Sequence, residues 1–263
     1  MPRAGTLGEF QRAVAAFPVT DLGVQFEPTA RAAARRSLDE SGLLLLGETH
    51  GVAENPLLIR ALLAEFGLTR LALEWHGDLV PLVSAFLAGQ PLADHWLLWS
   101  GDGRITAGHF AVLRDRAAAG PFQLTLFDVT VRAGASWSER DQGMAGQVLA
   151  GLAPGTGPGP GTLVVAGSAH TPVERTGLGV PMGANLAQRR PGVTEIRISY
   201  ASGGFYNGEP RRFRGRIGPR RQHPRLLRRH GGLVLDLPSA TEAVVPQRPF
   251  GGPAAAYPDA ADQ

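Results

Sequence analysis

Cysteine is absent from the 263 residues, which removes disulfides, thiolate nucleophiles and cysteine-based zinc sites together. Only His and the carboxylates remain as metal ligands. Lysine is absent too, so all 26 basic side chains are Arg; against 23 acidic residues the net charge is only +3. The pI of about 10.1 follows from having few groups besides Tyr that titrate above neutrality, and is weak evidence for nucleic-acid binding. No apolar run approaches the roughly 20 residues that span a bilayer. Met1-Pro2-Arg3-Ala4-Gly5 leads into a mixed polar segment without the pattern of a signal peptide. The expectation is a cytoplasmic protein with no membrane contact.

Hydrophobic residues make up 43% of the chain, enough for a substantial core. Their most informative arrangement is the run Leu43-Leu44-Leu45-Leu46-Gly47, which reads as a buried strand and ends in Glu48-Thr49-His50-Gly51. Two later segments repeat it: Leu71-Ala72-Leu73 closes on Glu74-Trp75-His76, and Thr162 to Ala166 closes on Gly167-Ser168-Ala169-His170. Buried parallel strands deliver functional groups at their C-terminal ends, so one site assembled from several strand ends is predicted.

Between these strands the apolar spacing is helical over Leu7 to Phe17, over Thr29 to Leu38 with Thr29 as N-cap, and over Glu54 to Phe66 with Gly67 as the stop. Helices over roughly Leu79 to Leu87, His109 to Ala119, Ser138 to Leu152 and Gly183 to Arg189 alternate with strands at Arg70 to Glu74, Phe122 to Phe127, Thr194 to Ser199 and Gly232 to Leu237. This alternation predicts an α/β three-layer sandwich around a mainly parallel sheet. A single domain over 1–240 is expected, with an Arg-rich loop at 208–231 and an extended or disordered tail over 241–263. The Pro/Gly-rich stretch 154–161 reads as a flexible surface connection.

Glu48 and His50 are two apart and share a face if extended. A carboxylate beside an imidazole holds one tautomer and supports general-base action on water; a capping Glu and a surface His is the plainer alternative. Burial would raise the Glu74 pKa unless a cation or hydrogen bonds compensate, and a structural ion pair with Arg70 or Arg60 is the plainer alternative. Asp128 ends its strand in the same way, either to bind substrate or to cap a turn, and His76 reads as a residue of the site rim. Gly167-Ser168-Ala169-His170 departs from the Gly-x-Ser-x-Gly elbow, against a serine hydrolase. The insert Pro91 to Gly108 carries His95, Trp96, Trp99 and Asp102 and reads as a lid or pocket wall. Arg211, Arg212, Arg214, Arg216, Arg220, Arg221, Arg225, Arg228 and Arg229 are interleaved with one aromatic, Phe213, which favours a solvated loop over a nucleic-acid surface.

Taken in order, Gly47-Glu48-Thr49-His50-Gly51, the helix start at Glu54 with Arg60 beyond it, the strand ending at Glu74, Asp128, Glu139-Arg140-Asp141-Gln142-Gly143-Met144-Ala145, the strand before His170, and Pro181-Met182-Gly183 with Leu186 resemble erythromycin esterase-like proteins from about Leu43 to Leu237. The resemblance extends to the broader EreA/ChaN-like and TraB/TIKI group. It implies a catalytic pocket of Glu48, His50, Glu74 and His170 in which a His activates water against an ester carbonyl. Asp128, Arg60, His76, Trp96 and Trp99 are expected to contact a small-molecule substrate. Glu48-Thr49-His50 is one residue shorter than the erythromycin esterase motif, as in the TraB/TIKI and ChaN relatives. Gly167 and Ser168 stand where those esterases carry a second His and an Asn, and the chain is shorter than a typical macrolide esterase.

The leading reading requires no cofactor. Its alternatives are a divalent ion held by Glu48, His50, Glu74 and His170, a haem bound without turnover as in ChaN, and a biosynthetic enzyme using the same pocket. Oligomeric state is left open by these features.

Overall fold

The computed structural model describes residues 3–130, 132, 134–152, 161–213, 222–229 and 231–248. Among them the helices are α1 (Leu7–Ala16), α2 (Pro28–Ser41), α3 (Asn55–Phe66), α4 (Val80–Leu87), α5 (Ala107–Ala119), α6 (Trp137–Ala150) and α7 (Met182–Arg189). The strands are β1 (Arg3–Ala4), β2 (Gln25–Phe26), β3 (Leu43–Glu48), β4 (Arg70–His76), β5 (Gln123–Asp128), β6 (Thr162–Gly167), β7 (Thr194–Tyr200), β8 (Gly204–Asn207), β9 (Glu209–Arg212), β10 (Arg225–Arg229), β11 (Gly232–Leu237) and β12 (Val245–Pro246). The flexible connection expected over 154–160 and the tail over 251–263 lie outside the described residues.

Eight strands form one sheet in the order β2-β10-β11-β7-β3-β6-β4-β5. All of its pairings are parallel except β10 with β11. Alternation along β3 sorts the two faces. Leu44 and Leu46 join the core formed with α1 to α5, whereas Leu43 and Leu45 pack with Met144, Val148 and Leu186 of α6 and α7. The result is the predicted three-layer sandwich.

Helix ends follow local chemistry. Thr106 and Ser136 cap α5 and α6, the latter through a full capping box with Glu139, and Gly67 closes α3 in the left-handed region. The cap expected at Thr29 is displaced: Pro28 starts α2, and the Thr29 hydroxyl donates to Glu27 Oε1 at 3.2 Å.

The 208–231 segment is not one loop, because Glu209–Arg212 and Arg225–Arg229 are both strands. Leu226 is fully buried and anchors β10 between β2 and β11. Arg214, Arg216, Arg220 and Arg221 lie outside the described residues. The tail expected from 241 is docked as far as 248: Val245 is buried, β12 pairs with β1, and the Thr241 hydroxyl donates to Glu54 Oε1 at 2.8 Å. No helix among the described residues is long and apolar enough to cross a membrane.

The topology decides where the strand ends meet. From β3 the chain crosses to β4 and β5, then returns so that β6 inserts between β3 and β4 before continuing to β7 on the far side of β3. Connections therefore leave β3 and β6 in opposite directions, the arrangement that opens a crevice at the carboxyl ends of parallel strands. Glu48 and Gly167 end β3 and β6, and Glu74 lies two residues before the end of β4.

Candidate active site

Glu48 continues the parity of Leu44 and Leu46 and is 4% exposed. Its Oε1 lies 3.1 Å from His50 Nδ1, so the ring carries its proton on Nδ1 and leaves Nε2 as the basic nitrogen. Two features pin this turn. Gly51 has φ +77, and a Cβ there would fall 1.7 Å from the Tyr206 carbonyl oxygen, so the close approach admits only glycine. The Thr49 amide donates to the Tyr200 hydroxyl at 3.0 Å, that hydroxyl donates to Asn55 Oδ1 at 3.0 Å, and Asn55 Nδ2 donates to the Thr49 carbonyl at 2.9 Å. Burial and the Glu48 charge push the Tyr200 pKa up, so the ring stays a phenol.

A second dyad faces the first. His170 Nδ1 lies 2.8 Å from Asp141 Oδ1, and the other oxygen of this fully buried Asp accepts the Met182 amide at 2.7 Å. The Trp137 ring stacks on His170 with centroids 5.3 Å apart. Helix α6 and the start of α7 thus orient the imidazole.

Glu74 sits between the dyads. His50 Nε2 is 3.7 Å from its Oε2 and His170 Nε2 is 3.7 Å from its Oε1. Oε2 accepts the Gly167 amide at 2.7 Å, and Oε1 faces Arg140 Nη2 at 3.2 Å and Arg104 Nη1 at 3.4 Å. A Cβ on residue 167 would lie 3.0 Å from His50 Nε2, so glycine keeps the space between imidazole and carboxylate open. Burial alone would raise the Glu74 pKa, but His50, Arg104, His170 and the Gly167 amide outweigh it and hold it at about 2. For His50, burial acts to lower the pKa; the Glu48 hydrogen bond and the charges of Glu74 and Glu48 outweigh burial and the opposing Arg104, leaving it raised.

Beside the dyads, and bordered by none of Glu48, His50, Glu74 and His170, a cavity of about 350 Å³ is lined by Arg104, Arg140 and Asp128, with His76, Trp96 and Thr130 among its other walls. Arg104 also borders a small cleft of about 10 Å³ lined by Glu48, His50 and Glu74. It is therefore the side chain shared by the cavity and the dyad beside it.

The structure brings Glu48, His50, Glu74 and His170 together, and places Asp128, His76 and Trp96 on the cavity. Arg60 is elsewhere: its Nε is 3.1 Å from Asp115 Oδ2 in a pair joining α3 to α5. Trp99 is also turned away, donating to Asp94 Oδ1 at 2.6 Å with the Arg248 guanidinium 4.9 Å from its ring centre. The cations on Glu74 are Arg104 and Arg140, not Arg70 or Arg60. Asp141, Trp137 and the buried His109, whose ring meets Trp75 edge-on, are further site residues with no strand-end pattern to mark them. One local signal exists for the first: Arg140-Asp141 is a charged pair one turn into a capped helix, where a buried acid needs a partner.

The donor set does not fit a divalent ion. Two guanidinium groups already face the Glu74 oxygen that a metal would take, and their charge repels a divalent ion. Among the described residues no group of three or more His, Cys, Asp or Glu is placed to hold a metal. Of the residues expected to wall a haem, Trp96 lines the cavity and Trp99 does not, while the imidazoles of His50 and His170 face Glu74.

No known protein family matches the chain, and no curated protein does. Solved structures are similar in fold. A Bacillus cereus protein matches at 9% identity with a TM-score of 0.52, over 91% of this chain and 99% of its own. Its full-length overlap agrees with the three-layer α/β architecture. A structure described as bacterial protein toxins matches at 18% identity and TM-score 0.45, over 73% of this chain and 39% of that one. The type III effector HopBA1 matches at 17% identity and TM-score 0.43, over 79% of this chain and 91% of its own. This chain thus spans 39% of the length of the toxin chain it matches.

Proposed function

We propose that the chain is a hydrolase that cleaves an ester or lactone of a small molecule, the chemistry of the erythromycin esterase-like proteins it resembles. The observation that carries this reading is the convergence of two His–carboxylate dyads on one buried Glu, each Nε2 3.7 Å from a different Glu74 oxygen. That separation exceeds a direct hydrogen bond, and a water seated to one side of the pair is within reach of both groups. The cavity volume of about 350 Å³ lies in the range of small-molecule sites.

In this reading a water between His50 Nε2 and Glu74 attacks the ester carbonyl and gives its proton to His50. Glu48 and Glu74 stabilise the imidazolium. The oxyanion forms beside Arg104, a fixed cation at the boundary of cavity and dyad. Collapse expels the alcohol, which recovers the proton from His50; His170, oriented by Asp141, is the second group able to carry a proton there.

Turnover of a panel of esters, lactones and peptides, with His50 and His170 variants as controls, tests the reading. Peptide cleavage without ester cleavage, or activity that survives both substitutions, overturns it.

Two expectations follow from the geometry. A base must be neutral, and the His50 pKa is raised, so kcat/KM should rise with pH through a midpoint above the ordinary His value of about 6.5. An acidic limb at or below that value contradicts His50 as the base. The chain's own residues supply every step, so turnover should persist after EDTA treatment and gel filtration. Loss of activity that a divalent ion restores would count against this mechanism.

A further inference from the structure

Two guanidinium groups converging on one wall are the usual device for gripping a carboxylate or phosphate. Here the wall is already occupied. Asp128 Oδ1 lies 2.8 Å from Arg140 Nη2 and 3.2 Å from Arg140 Nε, and its Oδ2 is 2.5 Å from Arg104 Nη1. Beneath it, Glu74 Oε1 faces Arg140 Nη2 at 3.2 Å and Arg104 Nη1 at 3.4 Å, and Asp102 Oδ2 takes Arg104 Nε at 2.7 Å. Three carboxylates therefore surround two cations.

The depths of these acids differ. The Glu74 side chain is 3% exposed and the Asp128 side chain 12%, and Asp128 lines the cavity together with both arginines. Asp102, at 31%, is more exposed and also lines the cavity but bonds Arg104 only, whereas Asp128 bonds both guanidinium groups and so closes the fork between them. Its place is fixed by the sheet, where it stands opposite His76 in the β4–β5 pairing, and by the Val129 amide, which donates to Oδ1 at 2.9 Å. The neighbouring walls include Leu79, Leu97 and Ile105.

We propose that Asp128 is a specificity-determining residue: it fills the Arg104–Arg140 fork with a carboxylate of the chain itself, so that the cavity accepts neutral acyl compounds and turns away anionic ones. The preference for acyl compounds rests on the hydrolase reading; the occupation of the fork does not. An anion entering the cavity must displace Asp128 or lie against a net negative cluster, and a neutral ester needs to do neither.

The experiment follows the Nε–Hε signals of Arg104 and Arg140 by NMR while sodium phosphate or sodium acetate is titrated at constant ionic strength. The wild-type protein should show no saturable shift. Asp128→Ala should bind both anions at least about tenfold more tightly, acetate restoring the missing carboxylate, and adding Arg140→Gln should abolish the gain. Asp128→Asn removes the charge at constant size and should show the gain at smaller amplitude, which keeps the test valid if the Ala variant does not fold. Saturable phosphate binding by the wild type, absence of any gain in both variants, or a gain that survives Arg140→Gln overturns the proposal. Because binding and not turnover is read, these outcomes are distinct from failure of the hydrolase reading, which the ester panel reports.

Discussion

Replacing His50 with Ala is expected to lower turnover by about 10²–10⁴-fold, the usual worth of a positioned general base, while moving the thermal midpoint by no more than about 4 °C. The small structural effect follows from position. His50 lies in the turn after β3, with a side chain 15% exposed, and its backbone is held independently by Gly51 against Tyr206 and by the Thr49–Tyr200–Asn55 ring. Water can enter from the exposed side and satisfy Glu48 Oε1. Steady-state kinetics on the best ester of the panel, with a thermal melt of the same sample, measure both effects. Full activity, or a collapse of the melt that accounts for the lost rate, removes His50 from the reaction.

The halves of the site differ in how far they are written locally. Glu48, His50, Glu74 and His170 are legible because each closely follows the apolar run of a buried strand, at Leu46, Leu73 and Ala166, and such strands deliver functional groups at their carboxyl ends. That these ends are neighbours follows from β6 inserting between β3 and β4, a long-range pairing that no local pattern specifies. That Arg104 and Arg140 meet at Glu74 is illegible for the same reason. One comes from the loop before α5 and the other from α6, separated by 36 residues of chain (140 minus 104), and only the closed sheet brings both to Glu74. Arg60 and Trp99 mislead in the opposite sense, since residue type suggests a site and packing assigns them to surface pairs with Asp115 and Asp94. The Arg-rich segment hides β10 because Arg stems cover apolar surface while their heads stay solvated, leaving Leu226 as the main mark of burial.

Glu74→Gln is expected to cost about 3 kcal/mol at neutral pH, because removing one partner of a buried ion cluster leaves its cations uncompensated. In a chain of this size that lowers the thermal midpoint by about 6–12 °C. Asp128 and Asp102 still face the two arginines, which keeps the loss near the lower end of the range for buried pairs. The sign of its pH dependence separates this from a packing defect. A carboxylate held at about 2 against an ordinary value of 4.5 contributes stability that is fully present above 4.5 and is lost as the pH falls through that interval toward 2. The gap between wild type and Glu74→Gln should therefore be widest near pH 5, where His50 is charged and Glu74 still ionised, and close progressively below it. His50 does not imitate this, since its raised pKa contributes stability below about 6.5 that is lost only on moving to higher pH. Thermal melts of both proteins at several values between pH 3 and pH 7 read the gap directly. A gap that stays constant down to pH 3 would mean that Glu74 is held by shape and hydrogen bonding alone, and the electrostatic account of the site, with Glu74 as the charge that both imidazoles and both guanidinium groups share, would fail with it.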